Sequence, residues 1–514
     1  MHNRKRLAAG FALVALGPLA LSLTGCKQPA PLPNTVTMLI ESSPANLDPR
    51  IGTDGQSEHI DALIFDALVR RDEHFNVQPW LAERWETPNP QTYIFHLHSG
   101  VHFHDGRLLT ARDVKWTLDT ILHGPIITAK AGAFQNIESV EAPDATTVIV
   151  RLKKPDAALL WNLSDGAIGI VPEGSGREFG QHPVGSGPYR FVRMEQDKEV
   201  VLERSSTSWQ PQPNIEHIRF AVVPDAITRA LEMEKGSADV CINALTADMT
   251  NALMKRPDLV VETKPGTVLN YISFNVSDPA LRDVRVRQAI AYAINRPLII
   301  HSLWRDRARS AESLLPPDHW AWSPNLPHYD YDPQHANSIL DEAGLKRGPD
   351  GVRFHLTLKT STDETSRLLA MILQQELRQI GIELEVRSFE FASFYADITR
   401  GAFQVYTLRW QGGNEDPDIF RYAYHTASLP PHGANRGRYL NPALDQLLND
   451  AAKVSDQNQR RRDYEQAQQI LARDLPSINL WYLDTVMIHN RRLEDLQPSS
   501  SGNFDFLRTA KLRP

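Results

Sequence analysis

A strand–helix–strand pattern between residues 354 and 386 constrains the fold of this chain most strongly. Residues 354–358 and 382–386 alternate apolar and polar side chains, as half-buried strands do. Between them a helical pattern runs from about Asp363 to Gly381, and glycine is suited to a left-handed helix end. Two strands joined by a helix are parallel neighbours with a right-handed connection. The sequence therefore predicts an open α/β sheet in its second half.

Strand and helix patterns also alternate through the rest of the chain, which is typical of α/β lobes. Further strands are predicted at 35–40 and 403–410, and a strand pair over 91–110 is predicted to turn at Ser99-Gly100. The predicted helices lie at 60–68, from about Arg112, at 283–294 with Pro297 just past the end, and at about 460–473, where Pro476 follows.

The first 25 residues are predicted to be an export signal rather than part of the fold. Arg4-Lys5-Arg6 precedes an apolar stretch at 7–23 that is too short to span a membrane. The following Leu23-Thr24-Gly25-Cys26 resembles a bacterial lipobox, which implies lipidation of Cys26, and ordinary signal cleavage nearby is the alternative. Residues 26–33 form a Pro-rich tether. We therefore expect export to the periplasm or cell envelope and a lipid anchor in the membrane.

Composition excludes several classes of function. The net charge is −7 and the chain has no basic block, so nucleic acid is a poor candidate as a partner. With Cys26 assigned to lipidation, Cys241 has no partner, and its apolar surroundings at 238–242 predict a buried free thiol. No segment after residue 25 has the length and apolarity of a transmembrane helix.

The predicted α/β sheet also indicates where a ligand would bind, because ligands of open parallel sheets lie beyond the carboxyl ends of the strands. Three loops should meet there, at 360–364, 389–394 and 409–420. Aromatic walls with a few charges suit a polar ligand whose apolar groups become buried. The candidate ligand-binding residues in and beside these loops are Asp363, Phe391, Tyr406, Arg409, Trp410, Asp416 and Asp418.

Several motifs, in the same order along the chain, resemble those of the family 5 extracellular solute-binding proteins. This group contains the dipeptide- and oligopeptide-binding proteins of ABC importers. Each motif alone is weak, but the collinear set is specific. The matching segments are 46–49 (NLDP), 79–85 (PWLAERW), 101–106 (VHFHDG), 110–114 (TARDV), 183–189 (PVGSGPY), 274–275 (FN), 283–289 (DVRVRQA) and 341–344 (DEAG).

The resemblance implies an α/β bilobal clamshell like that of periplasmic binding proteins, of type II and in the large cluster with an extra subdomain in the first lobe. The ligand crevice of the second lobe would then face loop 41–55, which adds Thr53 and Asp54 to the candidate ligand-binding residues. The implied bounds are 34–268 plus 487–514 for lobe I, about 56–185 for its extra subdomain, and 269–486 for lobe II.

The resemblance also implies a function. The protein would be a monomeric receptor without a cofactor that closes over a di- or oligopeptide and delivers it to an ABC permease and ATPase. One position departs from the family. Peptide-binding members carry an aspartate for the ligand's α-amine three residues after the loop tryptophan, and here that residue is Gly413. Opines, oligosaccharides and nickel chelates therefore remain alternative ligands, with Arg409 available for a carboxylate or phosphate.

Other chemistry finds little support in the sequence. His96, His98, His102 and His104 include imidazoles spaced to share one strand face, but they lie in or beside a family motif, and we expect no metal site. Gly185-Ser186-Gly187 lacks the context of a phosphate loop or a nucleophile elbow and is predicted to be a turn. We therefore expect no catalytic residues and no enzyme. An exported hydrolase and a ligand sensor without transport are the rival classes.

Overall fold

The computed structural model of the protein describes residues 34–124, 126–128, 130–164, 168–411, 415–430, 432–454 and 456–513. The predicted signal at 1–25, the tether with Cys26, and Gly413 lie outside the described residues. In the part that is described, no helix combines the length and the apolarity needed to cross a bilayer.

The first half of the chain alternates short strands and helices. Its strands are β1 (Thr35–Ile40), β2 (Val69–Arg71), β3 (Val77–Pro79), β4 (Ala82–Asn89), β5 (Thr92–Leu97), β6 (Ile137–Glu141), β7 (Thr147–Leu152), β8 (Tyr189–Glu195), β9 (Glu199–Arg204), β10 (His217–Val222) and β11 (Val240–Ile242). Its helices are α1 (Gly55–Ile64), α2 (Ala111–Leu122), α3 (Ala131–Phe134), α4 (Leu159–Asn162), α5 (Ala226–Lys235) and α6 (Ala247–Leu253).

The second half contains the longest strands and helices. Its strands are β12 (Leu259–Phe274), β13 (Ala308–Ser310), β14 (Phe354–Ser361), β15 (Ile382–Phe389), β16 (Val405–Trp410), β17 (Ser477–Asn490), β18 (Leu493–Glu494) and β19 (Lys511–Leu512). Its helices are α7 (Val284–Ala293), α8 (Arg296–Trp304), α9 (Pro333–Glu342), α10 (Glu364–Gln379), α11 (Phe391–Thr399), α12 (Ile419–Tyr424), α13 (Pro442–Lys453) and α14 (Gln457–Asp474).

One large sheet runs through both halves in the order β15-β14-β16-β12-β17-β11-β1-β10-β9-β8, with β13 added beside β17. β14 is parallel to both β15 and β16, and β1 is parallel to both β10 and β11. A separate four-stranded sheet, β4-β5-β7-β6, has its own apolar core and lies within the predicted extra subdomain. The architecture is therefore mixed α/β, with the sheet of each half covered by helices.

β12 and β17 join the two halves. They pair antiparallel from Leu259 opposite Asn490 to Ser273 opposite Ser477. The pairing is interrupted between Lys264 and Val268, where a Cβ on Gly266 would come within 2.3 Å of the carbonyl oxygen of Leu483. The predicted lobe boundaries at 268/269 and 486/487 thus fall inside two continuous strands, and the bounds of the lobes stay a prediction.

Most predicted elements are confirmed. The strand–helix–strand unit is β14, α10 and β15, with Gly381 at a positive φ of 81° after α10. The helix predicted at 283–294 is α7, which Asp283 caps by accepting the amide of Arg285. Pro297, expected after a helix end, instead lies in the first turn of α8, where proline costs no hydrogen bond.

Two predictions were wrong. The helix predicted at 60–68 ends at Ile64, because Phe65 is extended and Leu68 accepts a backbone hydrogen bond from Ala82. The strand pair predicted at 91–110 does not form. β5 pairs instead with β4 and with β7, which is about fifty residues further along the chain, and 101–110 contributes only one bridge. In both places the backbone pairs with another strand: Leu68 with Ala82 of β4, and β5 with β4 and the distant β7.

Asp66 is a buried hub of the first half. Its carboxylate accepts hydrogen bonds from Trp80 Nε1 at 2.9 Å, Trp209 Nε1 at 3.0 Å, Ser186 Oγ at 2.8 Å and Gln210 Nε2 at 2.9 Å. Four donors from three segments therefore depend on one side chain. Removal of the carboxylate would leave all four without this acceptor in a buried environment.

We predict that Asp66→Ala lowers the free energy of unfolding by about 3–5 kcal/mol, because buried charge networks lose that much when one partner is deleted. Urea unfolding followed by tryptophan fluorescence measures it directly, since Trp80 and Trp209 contact Asp66. The matched control is Asp105→Ala, whose carboxylate bonds only its neighbour Arg107 at the surface. Equal midpoints for the two variants would contradict the hub.

Candidate functional site

The carboxyl ends of β14, β15 and β16 meet at one edge of the sheet. β14 and β15 pair in register up to Ser361 opposite Phe389, and β14 also lies parallel to β16. The amide of Thr362 donates to the carbonyl of Phe389, which ties the first two loops together. The strand ends from which the three predicted loops start therefore lie together.

Aromatic side chains fill one face of this edge. Phe394 on α11 packs against Tyr406, whose ring lies edge-on to Tyr271 of β12 at 5.9 Å. Tyr271 in turn stacks on Trp410 at 5.8 Å, and Trp410 contacts the exposed Tyr422. We call the outer members of this group, Phe391, Tyr395, Trp410 and Tyr422, the aromatic rim. Each of them is at least partly exposed, so their faces are available to a ligand.

The predicted site residues of lobe II divide into three kinds. Trp410 and Phe391 belong to the aromatic rim, whereas Tyr406 is buried behind it. The side chain of Arg409 is exposed near the end of β16, and this side chain makes no hydrogen bond or ion pair with the described residues. Asp363 caps α10 by accepting the amide of Ser366 at 2.9 Å, so its carboxylate serves the helix.

Asp416 and Asp418 lie at the start of α12. Asp418 forms an ion pair of 2.5 Å with Arg421, one turn further along the helix. Asp416 accepts the amide of Asp418 at 2.6 Å, and burial raises the pKa of Asp416 to about 6. Asp418 is thus already paired, and Asp416 is the carboxylate held closer to its neutral form.

The first lobe contributes the amino end of α1 and a nearby arginine. Asp54 caps α1 by accepting the amide of Ser57 at 3.0 Å, and Thr53 is exposed just before it. Burial raises the pKa of Glu58, in the first turn, to about 7, and Lys130, Arg71, Asp54 and Glu415 also act on it electrostatically. Because Glu415 belongs to the loop after Trp410, the two predicted walls face each other.

Contacts across the two walls are direct. Arg71 at the end of β2 forms an ion pair of 3.1 Å with the buried Glu415, which also accepts the hydroxyl of Thr267 at 3.1 Å. Thr267 lies in the irregular step of β12. The pair therefore connects the first lobe, the crossing strand and the loop of the second lobe at one point.

The turn between β2 and β3 extends this connection. Phe75, at a positive φ of 63°, stacks on His319 of the second half at 5.4 Å. Gln457 Nε2 donates to Asn76 Oδ1 at 2.9 Å. Burial lowers the pKa of His319 to about 3, so this ring packs as a neutral aromatic.

The sequence reasoning missed Tyr271, Tyr395, Glu58, Arg71 and Glu415. Tyr271 lies on a buried strand, β12, that was not predicted, and nothing local showed that it meets Trp410. Arg71 and Glu415 are far apart in sequence, and a single sequence carries no signal for such a pair. Glu58 stands in the first turn of a helix, where an acidic residue is ordinary.

The histidines and glycines of the motifs have structural partners. His96 bonds Glu86, His102 bonds the carbonyl of Gly100, and His104 bonds the carbonyl of Gly187. Throughout the described ranges, no cluster of three or more His, Cys, Asp or Glu side chains is arranged to hold a metal. A Cβ on Gly185 would come within 1.9 Å of the carbonyl oxygen of Ile64, which is why glycine is needed where this turn packs on the end of α1.

Comparison with known proteins agrees with this geometry. Residues 76–428 match the model of the bacterial extracellular solute-binding proteins, family 5 Middle. The Di/tripeptide-binding protein 1 of Pseudomonas aeruginosa (strain UCBPP-PA14) is 28% identical over 523 residues, which cover 96% of this chain and 95% of the relative.

Solved structures are similar along nearly the whole chain. DppA of Helicobacter pylori, an ABC transporter-associated periplasmic binding protein in complex with the peptide STSA, has a TM-score of 0.76 at 25% identity and covers 93% of this chain and 98% of its own. NikZ of Campylobacter jejuni, in complex with Ni(L-His), has a TM-score of 0.78 at 25% identity and covers 93% and 99%. The predicted α/β fold of a bilobal periplasmic binding protein is confirmed.

We predict that the Asp416→Asn variant gains stability over the wild type as the pH rises. The quantity compared is the free energy of unfolding. The pKa of Asp416 is about 6 in the folded protein, above the usual 3.8 of an exposed aspartate, so the folded state holds this proton more tightly than the unfolded chain. Stability from this group therefore falls as the pH rises from about 4 to about 7, by up to about 3 kcal/mol. Asparagine does not ionise and avoids this loss.

Thermal and urea unfolding at several pH values measure the difference between the wild type and Asp416→Asn. Asp330→Asn, which changes an exposed carboxylate of the same lobe, is the control. A difference between wild type and Asp416→Asn that stays constant with pH would contradict the raised pKa.

Proposed function

Because this chain belongs to the bacterial extracellular solute-binding proteins of family 5, we propose that it is the substrate-binding component of an ABC importer that captures di- and oligopeptides between its two lobes. Relatives over its full length are named for di- and tripeptides. The protein acts by binding and release, without chemistry on its ligand.

The aromatic rim is the observation that carries this proposal. It lies at the carboxyl ends of three parallel strands, where ligands of open sheets bind. The loop that follows its residue Trp410 is joined to the first lobe by the Arg71–Glu415 pair. Exposed rings beside backbone edges and a few charges match the alternating apolar and polar groups of a peptide.

A nickel chelate is the second candidate ligand, favoured by the similarity to NikZ with its bound Ni(L-His). A chelate brings its own metal ligands, so the protein needs aromatic and charged contacts more than a set of metal-binding side chains. The same rim serves either ligand, and a binding panel must contain both.

We predict that peptides raise the melting temperature of the full-length protein purified in mild detergent. A ligand at about 100 times its dissociation constant stabilises the folded state by about 2.7 kcal/mol. The panel contains di-, tri- and tetrapeptides, Ni(L-His), opines and oligosaccharides. A response to one of the other solutes, and to no peptide, would overturn the peptide assignment and leave the receptor class.

The aromatic rim supplies the matching variants for this assay. Trp410→Ala removes a partly exposed ring that stacks on Tyr271, and we expect at least tenfold weaker binding. Tyr331→Ala, which removes an exposed ring on the surface of the same lobe, is the control. Unchanged affinity in Trp410→Ala would place the ligand elsewhere.

We further propose that the protein is held at the membrane by lipid on Cys26. Cys26→Ala is predicted to release it from the membrane fraction, since two or three acyl chains supply stable anchoring. The control is Cys241→Ala, because Cys241 is buried and burial raises the pKa of its thiol to about 12. Fractionation after palmitate labelling measures both, and membrane retention of Cys26→Ala would contradict the anchor.

A further inference from the structure

A buried arginine without an acidic partner lies behind the aromatic rim. Arg436 is 6% exposed. Its Nη2 donates to the hydroxyl of Tyr395 at 2.7 Å, and the guanidinium carbon lies 5.0 Å from the centre of that ring. Its Nη1 is buried and has no hydrogen-bond partner among the residues that the structure describes. In the described part of the chain, its electrostatic neighbours are tyrosines rather than carboxylates.

Other buried arginines of the same lobe are satisfied differently. Arg287 donates to the carbonyls of Leu281, Arg282, Asp474 and Leu475. A guanidinium has five N–H donors and no acceptor, so it requires such oxygens. The surroundings of Arg436 offer hydroxyls that are themselves donors.

The tyrosines around Arg436 add to the excess of donors. The hydroxyls of Tyr271 and Tyr406 are 3.5 Å apart. Burial raises the pKa of Tyr271 well above its usual value, so it remains a neutral O–H at physiological pH. After these hydroxyls have bonded one another and the guanidinium, hydrogens remain on Nη1 and on the phenols. The group that satisfies several such donors at once, and neutralises the charge, is a carboxylate.

The cluster lies directly below the proposed ligand position. Tyr395 is on α11, one turn beyond the rim residue Phe391, and the two rings stack at 5.8 Å. Tyr271 stacks on Trp410 on the other side. Tyr395 itself is 39% exposed, so the cluster reaches the protein surface at this ring.

We propose that Arg436, with the hydroxyls of Tyr271, Tyr395 and Tyr406, binds a carboxylate of the ligand and makes the protein selective for ligands that carry one. This assignment rests on the proposed function, since it adds a subsite to the same cleft. It also accounts for Gly413, because a ligand held by its acid group needs no aspartate for its amine. An uncompensated buried cation in the empty protein becomes a paired cation in the complex.

The test compares three probes by titration calorimetry on the full-length protein. They are the tripeptide Ala-Leu-Ala, its C-terminal amide, and the amide of Ala-Glu-Ala, whose carboxylate is on the side chain. We expect wild type to bind the free acid at least thirtyfold more tightly than its amide. If the third probe binds as tightly as the free acid, Arg436 recognises the carboxylate of an acidic side chain. If the third probe binds as weakly as the amide of Ala-Leu-Ala, Arg436 recognises the carboxylate at the end of the peptide.

Arg436→Met removes the charge and keeps the length of the side chain. It should lower the affinity for the free acid to that for the amide, and leave the amide unchanged. Arg436→Lys should restore part of the preference, and Tyr395→Phe should reduce it about fivefold. The matched control is Arg400→Met, because Arg400 is an exposed cation of the same region paired with Asp397.

Two negative results would lead to different conclusions. If wild type binds the free acid and its amide equally, or if Arg436→Met weakens both equally, the assignment of Arg436 is overturned while peptide binding stands. If wild type binds none of the three probes, the proposed function and this subsite fail together. If Arg436→Met lacks the native circular dichroism spectrum, the test uses Tyr395→Phe instead. A preference of Tyr395→Phe for the free acid over its amide that equals the preference of wild type overturns the proposal.

Discussion

The pairing of β12 with β17 is the interaction on which the two-lobed arrangement depends. At one end β17 also pairs with β11 of the first half, and at the other β12 pairs with β16 of the second, so both halves share one hydrogen-bonded sheet. The irregular step between Lys264 and Val268 is the place where this ladder loses its regular hydrogen bonds, and a sheet bends at such steps. Thr267 in that step contacts Glu415, which in turn pairs with Arg71. The site is therefore built around the point where the lobes join.

Buried polar side chains explain several of the motifs in structural terms. Asp66 collects four donors, among them Ser186 of the turn at 183–189. Arg287 of the motif at 283–289 donates hydrogen bonds to the carbonyls of Asp474 and Leu475 at the end of α14. His104 of the motif at 101–106 bonds the carbonyl of Gly187, in the turn that contains Ser186. These residues hold separate segments together, since buried polar groups must find partners.

The strand–helix–strand unit and the convergence of three loops were predictable, because alternation and helix caps are local signals and parallel strands place their carboxyl ends together. Trp410 and Phe391 were assigned to this edge of the sheet in this way, and their contact with a ligand stays a prediction. The predicted roles of Asp54 and Asp363 were not separable from helix capping, because a capping aspartate and a ligand-binding aspartate look alike at the start of a helix. The strand pair predicted at 91–110 failed because β7 supplies the partner of β5 from a distance.

The sequence by itself determined the fold class, the order of the elements and the loops in which a ligand is expected. Periodicity and turn residues act over a few positions, and the collinear motifs extend this to the family. Only the tertiary structure decided which charges are paired. Arg71 meets Glu415 across the cleft, whereas Arg436 is left among tyrosines. Such pairings depend on distances between segments that are remote in sequence, and no local pattern encodes them.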